Sequence, residues 1–269
     1  MDNAQMCLDL GGYDATNDLA EDITRFKSRE IKAKSIFEIK EIDKMTAYGF
    51  VRKYHYLGDA KFFCVQAFGL FYKKSGELVG CATYSLPQGI AALKGWFGLD
   101  NSTKNIYELS RLCLLPALNG TNATSFLFGG SIKCLKKQGF VRAVVTLADS
   151  SRHVGSIYQV CNFKYYGLTA QNQDFFTIDG KVNPRGKTVD VHGVRLPRTR
   201  KHRYCYVLDD TLKVLYPEQE YKPARDTRIE YECCCGSWLV HDQRYDEWFT
   251  CPYCFGKLQK IEEEDAWML

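Results

Sequence analysis

The segment that decides the fold reads Ala148-Asp-Ser-Ser-Arg-His-Val-Gly-Ser-Ile-Tyr-Gln-Val-Cys-Asn-Phe-Lys-Tyr-Tyr-Gly167 and lies near the middle of the chain. It follows the apolar, β-branched run Val141–Leu147, which is typical of a buried strand. Asp149 and the two serines after it precede the apolar-periodic stretch Val154–Cys161, and this pattern predicts a helix N-terminus. We therefore expect polar side chains to gather where a buried strand ends and a helix begins, which is typical of a functional site.

The overall composition indicates a folded α/β protein. The 269 residues are 45% hydrophobic and 14% aromatic, enough for one sizeable core and a small additional domain, and this argues against a disordered chain. There is no apolar signal segment at the N-terminus and no run of about 18 apolar residues. Seven of the twelve cysteines are scattered singly, which is typical of reduced thiols. The sequence thus predicts a cytoplasmic protein with no membrane partner and leaves its oligomeric state open.

Periodicity and turn residues predict an order of elements along the chain. In chain order they are a strand over Lys34–Ile42, a helix over Glu41–Leu57 with His55 on its last turn, strands over Val65–Tyr72 and Leu78–Leu86, a strand over Ile106–Leu115, a helix over Ser125–Gln138, a strand over Val141–Leu147, a helix that starts near Asp149, and strands over Lys164–Leu168 and Tyr204–Leu208. The two strands that flank Lys73–Glu77 form a predicted antiparallel hairpin. The strand–helix–strand units after residue 106 predict parallel neighbours, with ligands favoured at the carboxyl ends of the strands.

These elements predict four regions. Residues 1–33 show no clear period and are expected to be a loose N-terminal extension, residues 34–216 form an α/β domain, the charged stretch 217–229 with its two prolines is a linker, and residues 230–260 form a small C-terminal module.

A basic segment runs from Lys181 to Arg203, with eight Lys or Arg residues against a single acidic residue, Asp190. A solvated loop and a surface that contacts a phosphate backbone both account for this excess. On the second reading the partner is double-stranded DNA. The residues expected to contact it are Lys187, Arg195, Arg198, Arg200, Lys201 and Arg203.

Five cysteines lie close together at the C-terminal end. Two similar turns with closely spaced cysteines supply four thiolates for a structural zinc ion, Cys233, Cys235, Cys251 and Cys254. Residues 231–258 resemble the zinc-ribbon family, although Cys234 competes as a ligand in the first turn and His241 is a weaker candidate. A module of about 40 residues buries too little core to fold unaided, so zinc would hold it together.

The region from Ile106 to Gly167 resembles the second half of the GNAT acyltransferase fold, a mixed central sheet with flanking helices. Four residues carry this resemblance, Val154, Tyr158, Asn162 and Phe163. In that order they take the places of an Ala, a Tyr, a Gly and a Phe in the last helix and turn of the GNAT fold. GNAT enzymes bind the acetyl-CoA pyrophosphate in a glycine-rich turn at a helix N-terminus. Here the loop Asn119–Ser125 retains a single glycine, Gly120. Whether the chain uses acetyl-CoA as a cofactor is therefore left open.

A narrower resemblance covers roughly residues 35–208. The motifs that carry it are His55-Tyr56, Tyr107-Glu-Leu-Ser-Arg-Leu112, Thr121-Asn-Ala-Thr-Ser-Phe126, Ala148-Asp149, His153-Val-Gly155, Ile157-Tyr158-Gln159, Tyr166-Gly167 and Arg200-Lys-His-Arg-Tyr204. In this order they are similar to the phage Mom family. The resemblance implies a GNAT-like DNA-modifying protein that attaches a carbamoylmethyl group to the exocyclic amine of adenine and protects phage DNA from restriction in the bacterial host.

Such chemistry needs a base, since the exocyclic amine of adenine is a poor nucleophile, and the target base has to leave the helix. Asp149 is our first candidate for the base or for the group that positions the amine, and a helix N-cap is the alternative. Tyr158 corresponds to the general acid of GNAT enzymes, or else it is a core aromatic residue. His55 is an acid/base or metal ligand, or a structural residue at a helix end.

Further residues complete the predicted site. Ser110 and Arg111 are expected to bind a carboxylate or phosphate, with an ion pair between Arg111 and Glu108 as the alternative. His153 contacts a phosphate or caps its helix. Ser125 and Asn162 are the remaining candidates for substrate binding. The Mom resemblance also brings iron into consideration, with His55, Asp149 and Tyr158 as its candidate ligands.

Two other classes of function remain open at this point. A conventional N-acetyltransferase for a small molecule or protein would share the fold but gives no reason for the basic segment. A nucleic-acid-binding protein without catalysis would use the basic segment and the zinc ribbon alone. An adenine methyltransferase is disfavoured because the Asp/Asn-Pro-Pro-Tyr/Phe motif is missing.

Overall fold

The computed structural model describes most of the α/β region and the strands that follow it. The described residues are 17–55, 62–87, 92–100, 104–150, 153–170, 172–177, 193–198, 200–221, 228–233, 238–242 and 258–260. Within them, no helix combines the length and the hydrophobicity that crossing a bilayer requires.

Helices and strands alternate along the described chain. The helices are α1 (Asn17–Lys27), α2 (Ala33–Ile36), α3 (Lys44–Tyr54), α4 (Ala92–Phe97), α5 (Ala123–Gln138) and α6 (Ser156–Val160), with a 3₁₀ turn at Pro116–Leu118. The strands are β1 (Phe37–Ile42), β2 (Gln66–Tyr72), β3 (Leu78–Ser85), β4 (Ile106–Leu114), β5 (Ala143–Asp149), β6 (Lys164–Leu168), β7 (Asn172–Thr177), β8 (Gly193–Arg198), β9 (Lys201–Val207), β10 (Arg228–Cys233), β11 (Trp238–Asp242) and β12 (Leu258–Lys260).

Seven strands form a mixed sheet in the order β1-β2-β3-β4-β5-β9-β6. The strands from β1 to β4 are antiparallel neighbours, and β5 runs parallel to β4. The parallel pairing covers only three residue pairs, from Ile106 with Ala143 to Glu108 with Val145. Helices α3 and α5 pack on strands of this sheet. The predicted α/β class, a mixed central sheet with flanking helices, is confirmed.

The chain divides into two compact units. The first comprises Met1–Thr146, Val160–Phe163 and Cys205–Tyr216, and the second comprises Leu147–Gln159, Lys164–Tyr204 and Pro217–Leu269.

Helix α1 lies where the sequence analysis expected a loose extension. Leu19 and Ile23 are fully buried and Phe26 is nearly so, at the spacing of one helix face. The buried carboxylate of Asp22 accepts a hydrogen bond from the Tyr72 hydroxyl at 2.7 Å and pairs with Lys74 Nζ at 2.9 Å. The expectation is therefore wrong for residues 17–27, because its apolar positions reach a core that the local sequence does not show.

Helix α3 is shorter than predicted at both ends. It begins after Asp43, whose side chain accepts the backbone N–H of Thr46 at 2.9 Å and so caps the helix. His55 follows the helix with an extended backbone, ψ 140°, so its predicted place on the last turn is corrected by one position. Helix α5 ends as predicted at Gly139, which adopts a left-handed conformation with φ 80°.

The central segment differs from its prediction where the strand ends and the helix begins. Strand β5 continues to Asp149, and helix α6 begins only at Ser156 and has five residues. Asp149 is therefore the last residue of a strand and not a helix N-cap. Strand β9 begins at Lys201, earlier than the predicted Tyr204, and stands between β5 and β6 in the sheet.

Helix α4 was missed by the sequence analysis. Leu93, Trp96 and Phe97 are all buried, and the Trp96 ring packs edge-on against Tyr216 with centroids 5.2 Å apart. Their i, i+3, i+4 spacing is the helical signal, but the segment is too short to stand out by periodicity alone.

Two smaller sheets complete the described chain. Strands β7 and β8 pair antiparallel, and β10 pairs antiparallel with both β11 and β12. The last pairing sets the backbone of Cys233 opposite Leu258. Cys234, Cys235, Cys251 and Cys254 lie outside the described residues, and so does Lys187 in the basic segment.

Candidate functional site

In the second unit, Asp149 and Lys201 form an ion pair. Lys201 Nζ donates to a carboxylate oxygen of Asp149. The two side chains keep 24% and 19% of their surface exposed, so the pair is largely removed from water yet still accessible. A Coulomb interaction is stronger in such a setting than at an open surface. Lys201 was expected to contact DNA, and the structure instead places it beside the predicted base.

The backbone around this pair is joined by further hydrogen bonds. Ser150 N donates to Arg200 O at 3.2 Å, and Thr169 N donates to Lys201 O at 2.8 Å. Ser150 is 2% exposed, and within the described part of the chain its hydroxyl has no hydrogen-bond partner. The first bond joins the end of β5 to the start of β9, and the second joins the start of β9 to the residue that follows β6.

Tyr158 belongs to an aromatic group in the same unit. Its half-buried ring lies 5.4 Å, centroid to centroid, from the ring of Tyr204. The Tyr204 hydroxyl donates to Val154 O and accepts a hydrogen bond from Gln159 Nε2 at 3.0 Å. Gly155 has φ 81°, and a Cβ at this position would come within 2.6 Å of the Tyr204 ring. Only glycine leaves room for both tyrosine rings here.

His153 lies between β5 and α6 with an exposed side chain. Its backbone N–H donates to Asp149 O at 3.0 Å, and its Nδ1 accepts the backbone N–H of Gly155 at 3.2 Å. The ring is therefore held by the loop and does not cap α6, which begins three residues later. With Nδ1 as an acceptor, the neutral imidazole carries its proton on Nε2.

The arginines of the basic segment take different places. Arg203 donates from Nε to Tyr166 O at 3.2 Å and from Nη2 to Leu168 O at 2.6 Å, both on β6. Arg200 Nε donates to Thr169 O at 2.8 Å. These two guanidinium groups thus bind backbone carbonyl oxygens of β6 and of Thr169, the residue that follows it. Arg195 and Arg198 lie on strand β8.

In the first unit, the positive charge of Arg111 acts on the imidazole of His55. Burial, and to a lesser extent the positive charge of Arg111, lowers the pKa of His55 from its ordinary 6.5 to about 4. The Arg111 guanidinium lies over the Phe62 ring, 4.9 Å from its centroid, and donates from Nη1 to Ser110 O at 2.7 Å. The imidazole is therefore neutral at pH 7.

Ser110 lies at an irregularity of β4. Strand β3 pairs Thr83 with Arg111 and Tyr84 with Leu109, so Ser110 has no partner of its own in the β3 register. Such a β-bulge redirects side chains and is frequent beside functional sites. The Ser110 hydroxyl is 3.4 Å from Phe63 O.

Ser125 and Asn162 have local backbone roles in the first unit. Ser125 Oγ donates to Asn122 O at 3.0 Å in the first turn of α5. Asn162 is exposed and has φ 62°, in the left-handed region that Gly and Asn adopt most readily. Asn162 therefore has a backbone conformation that glycine also adopts without strain.

The described residues contain no group of three or more His, Cys, Asp and Glu side chains that could hold a metal ion. Of the residues considered for iron, Asp149 is engaged by Lys201, and the iron site stays a prediction. Of the four zinc cysteines only Cys233 is described, as the last residue of β10, and the zinc site remains a prediction.

Sequence reasoning missed Lys201 as the partner of Asp149 and Phe62 as the partner of Arg111. No local signal connects residues 52 positions apart.

Comparison with known proteins gives one family match. The model of the Mom protein family matches residues 36–223. No curated protein is found to match the sequence.

Similar solved structures include three acetyltransferases. The ribosomal-protein-S18-alanine N-acetyltransferase of Escherichia coli is 11% identical, with a TM-score of 0.40 over 65% of this chain and 95% of that protein. The spermidine/spermine N-acetyltransferase of Vibrio cholerae is 8% identical, with a TM-score of 0.41 over 66% and 95%. A GNAT acetyltransferase of Elizabethkingia anophelis with acetyl-CoA bound is 15% identical, with a TM-score of 0.37 over 64% and 97%.

Proposed function

Because the chain belongs to the Mom protein family, we propose that it is a GNAT-like transferase that attaches a carbamoylmethyl group to the exocyclic amine of adenine in DNA. The modification would protect phage DNA from restriction in a bacterial host cell. The observation that carries the proposal is the carboxylate of Asp149, which stands at the end of β5 in an ion pair with Lys201.

The reaction forms a bond between the adenine amine and the carbon of the transferred group. The bond from that carbon to the leaving group of an activated donor breaks, and the leaving group keeps the electron pair. The amine nitrogen gives up one proton as the new bond forms, and it needs a base because its lone pair is delocalised into the ring. Asp149 accepts this proton or holds the amine in place, and a positioned base of this kind accelerates a reaction by about 10²–10⁴-fold.

Lys201 acts on Asp149 as a positioning residue. Its ammonium group fixes the orientation of the carboxylate, and the hydrogen bonds of Ser150 and Thr169 fix the backbone on both strands. A base held in this way approaches its substrate with little loss of conformational freedom.

Tyr158 is the proposed acid that protonates the leaving group. Its ring is packed against Tyr204, and the Tyr204 hydroxyl is fixed by Val154 O and Gln159 Nε2. The aromatic group thereby restricts the directions in which the Tyr158 hydroxyl can point.

His55 and Arg111 contribute separate properties from the first unit. Arg111 keeps its predicted part in binding a carboxylate or phosphate group, with its guanidinium oriented by Phe62 and by Ser110 O. His55 supplies a neutral imidazole, since its pKa is about 4. No step of this proposal passes through a metal ion.

Double-stranded DNA is the proposed partner of the basic segment. Phosphate contacts from Lys187, Arg195 and Arg198 would supply affinity without sequence information. Arg200 and Arg203 have a structural role, since their guanidinium groups donate hydrogen bonds to the carbonyl oxygens of Tyr166, Leu168 and Thr169.

The test is expression of the full chain in bacteria, followed by mass spectrometry of the nucleosides from host DNA. A deoxyadenosine derivative heavier by one carbamoylmethyl group is the expected result. Unmodified nucleosides from folded protein would contradict the proposal. An acetylated amine on a small molecule or protein would instead indicate a conventional N-acetyltransferase.

A further inference from the structure

A buried histidine, His202, lies on β9 in the second unit, two residues before Tyr204. Its Nδ1 shares a hydrogen bond of 2.9 Å with the hydroxyl of Tyr165, a buried residue of the neighbouring strand β6. Residues two apart on a strand point to the same face of a sheet, and the rings of His202 and Tyr204 both pack against the Tyr165 ring. The proposed reaction has so far given no part to His202 or Tyr165.

Three tyrosine rings stand in a row beside this histidine. The Tyr165 ring lies 5.2 Å from that of Tyr204, and the Tyr204 ring lies 5.4 Å from that of Tyr158, centroid to centroid. The three residues come from separate elements, β6, β9 and α6. Tyr165 and Tyr204 are buried, whereas Tyr158 is half-buried. This tyrosine row therefore connects the buried His202 to the side chain proposed as the acid.

Hydrogen bonds fix the two buried members of the tyrosine row. The Tyr204 hydroxyl donates to Val154 O and accepts from Gln159 Nε2, and the Tyr165 hydroxyl is bonded to His202. Apolar contact between rings has little directionality, so rings that are only packed together can tilt against one another. A hydrogen bond is directional and fixes the plane of the ring that carries the hydroxyl.

The burial of His202 needs a reason beyond packing. Removing an imidazole from water costs free energy that its hydrogen bonds only offset, and an apolar side chain of similar size would fill the same place at lower cost. What an apolar side chain could not do is hold the Tyr165 hydroxyl. The orientation of Tyr165 is therefore the property that the pair with His202 contributes.

We propose that His202 is a positioning residue for Tyr158 and acts through Tyr165 and Tyr204. It fixes the Tyr165 ring, which supports the Tyr204 ring, and this in turn limits the tilt of Tyr158. Supporting contacts of this kind hold a reacting group within its productive geometry. The inference rests on the proposed function, because it is as the acid of the transfer reaction that Tyr158 needs a fixed direction.

The first test removes the hydrogen bond from either side. Tyr165→Phe and His202→Leu should each lower the modified fraction of deoxyadenosine about fivefold, because Tyr158 is then less often in its productive orientation. The double variant should also lose about fivefold, since both changes remove the same bond, whereas independent roles would multiply to about 25-fold. A multiplied loss, or no loss in either single variant, would overturn the proposal.

A conservative variant tests whether the hydrogen bond itself is responsible. His202→Asn keeps a polar atom at the same distance along the side chain as Nδ1 and should recover most of the modification that His202→Leu loses. An Asn variant no more active than the Leu variant would show that the bond to Tyr165 has no part in positioning.

A matched buried tyrosine controls for stability. In the first unit, the Tyr84 hydroxyl and Ser131 Oγ are 2.5 Å apart, and both residues are buried. Tyr84→Phe removes a hydroxyl with similar burial and should leave modification unchanged once the amount of folded protein is equalised. If it lowered modification as much as Tyr165→Phe does, the loss would reflect stability, and the proposal would be wrong.

A spectroscopic measurement follows Tyr158 without the reaction. With ¹³C-labelled tyrosine, its ring signal is identified as the one missing from Tyr158→Phe. This signal should shift in Tyr165→Phe and in His202→Leu, because a tilt of the Tyr204 ring changes the ring current at Tyr158, and it should stay in place in Tyr84→Phe. An unmoved signal in the first two variants would refute the connection.

The two measurements separate this inference from the proposed function. Natural protein that modifies no adenine contradicts the transfer reaction, while the Tyr158 signal still reports whether His202 holds the tyrosine row. Natural protein that modifies adenine, with Tyr165→Phe equally active, contradicts the positioning role alone.

Discussion

Lys201 and Asp149 form an ion pair that joins the first residue of β9 to the last residue of β5. Strand β9 comes to this place although it lies more than thirty residues after β6 in the chain, because the sheet order inserts it between β5 and β6. The proposed base thus receives its orientation from a distant segment.

Replacement of Asp149 is expected to cost far more activity than replacement of Lys201. Asp149→Asn removes the proton acceptor and should lower adenine modification at least 100-fold. Lys201→Ala keeps the acceptor but loses its orientation and should lower modification about tenfold. The measurement is the amount of modified deoxyadenosine per total deoxyadenosine.

The ion pair between Arg142 and Asp209, in the first unit, serves as the control for a general loss of stability. Arg142 Nε and Asp209 lie 2.7 Å apart with similar exposure, 30% and 34% for the two side chains. Asp209→Asn should leave modification unchanged. If it lowered modification as much as Asp149→Asn does, the loss would reflect stability and Asp149 would have no catalytic role.

The low pKa of His55 predicts a pH dependence of stability. The folded pKa is about 4, so between pH 4 and the unfolded value near 6.5 the unfolded chain binds more protons. The stability contributed by the neutral imidazole is present above pH 6.5 and is lost as the pH falls toward 4, by on the order of 2 kcal/mol after allowance for solvent screening. Urea unfolding of the natural protein and of His55→Gln at several pH values measures this difference. Parallel curves for the two proteins would contradict it.

Arg111 is expected to contribute to this low pKa through its charge. Arg111→Gln should raise the pKa of His55 toward its ordinary value but not restore it, because burial is the larger cause. Titration of the histidine ring protons by nuclear magnetic resonance measures the shift, and the chain has only five histidines to assign. A pKa that stays at the natural value would show that the guanidinium charge does not reach the imidazole.

Gly155 is expected to tolerate no side chain. Gly155→Ala places a Cβ 2.6 Å from the Tyr204 ring and 3.0 Å from the Tyr158 ring at φ 81°, and should destabilise the protein by about 2 kcal/mol or more. Gly129→Ala is the matched change, since a Cβ there meets nothing within 4 Å in the interior of α5 and should stabilise it by up to about 1 kcal/mol. Thermal unfolding compares the two, and equal midpoints would contradict the packing described for Tyr158.

The C-terminal cysteines predict one bound zinc ion per chain. Metal analysis of the purified protein should find zinc, and Cys251→Ser should remove it because three thiolates bind zinc more weakly than four. Cys64→Ser is the control, since Cys64 is a buried residue of the first unit. Zinc-free natural protein would show that these cysteines serve another purpose.

Much of the fold follows from local signals. The turn Lys73–Glu77 between two apolar runs predicts the β2–β3 hairpin, and Gly139 predicts the end of α5, since each pattern depends only on neighbouring residues. Strand β6 has the predicted bounds for the same reason. Helix α1 was missed because its burial depends on distant residues. The buried carboxylate of Asp22 binds Tyr72 and Lys74, which lie about fifty residues further along the chain.

The sequence by itself determined the class of fold, the family resemblance and the identity of Asp149, Tyr158 and His55 as the residues to test. Tertiary structure alone decided that Lys201 pairs with Asp149, that Tyr204 supports Tyr158 and that His55 has a pKa of about 4. The physical reason is that periodicity and capping act within a few residues, whereas an ion pair, an aromatic contact and the desolvation of an imidazole depend on which distant segments the sheet brings together.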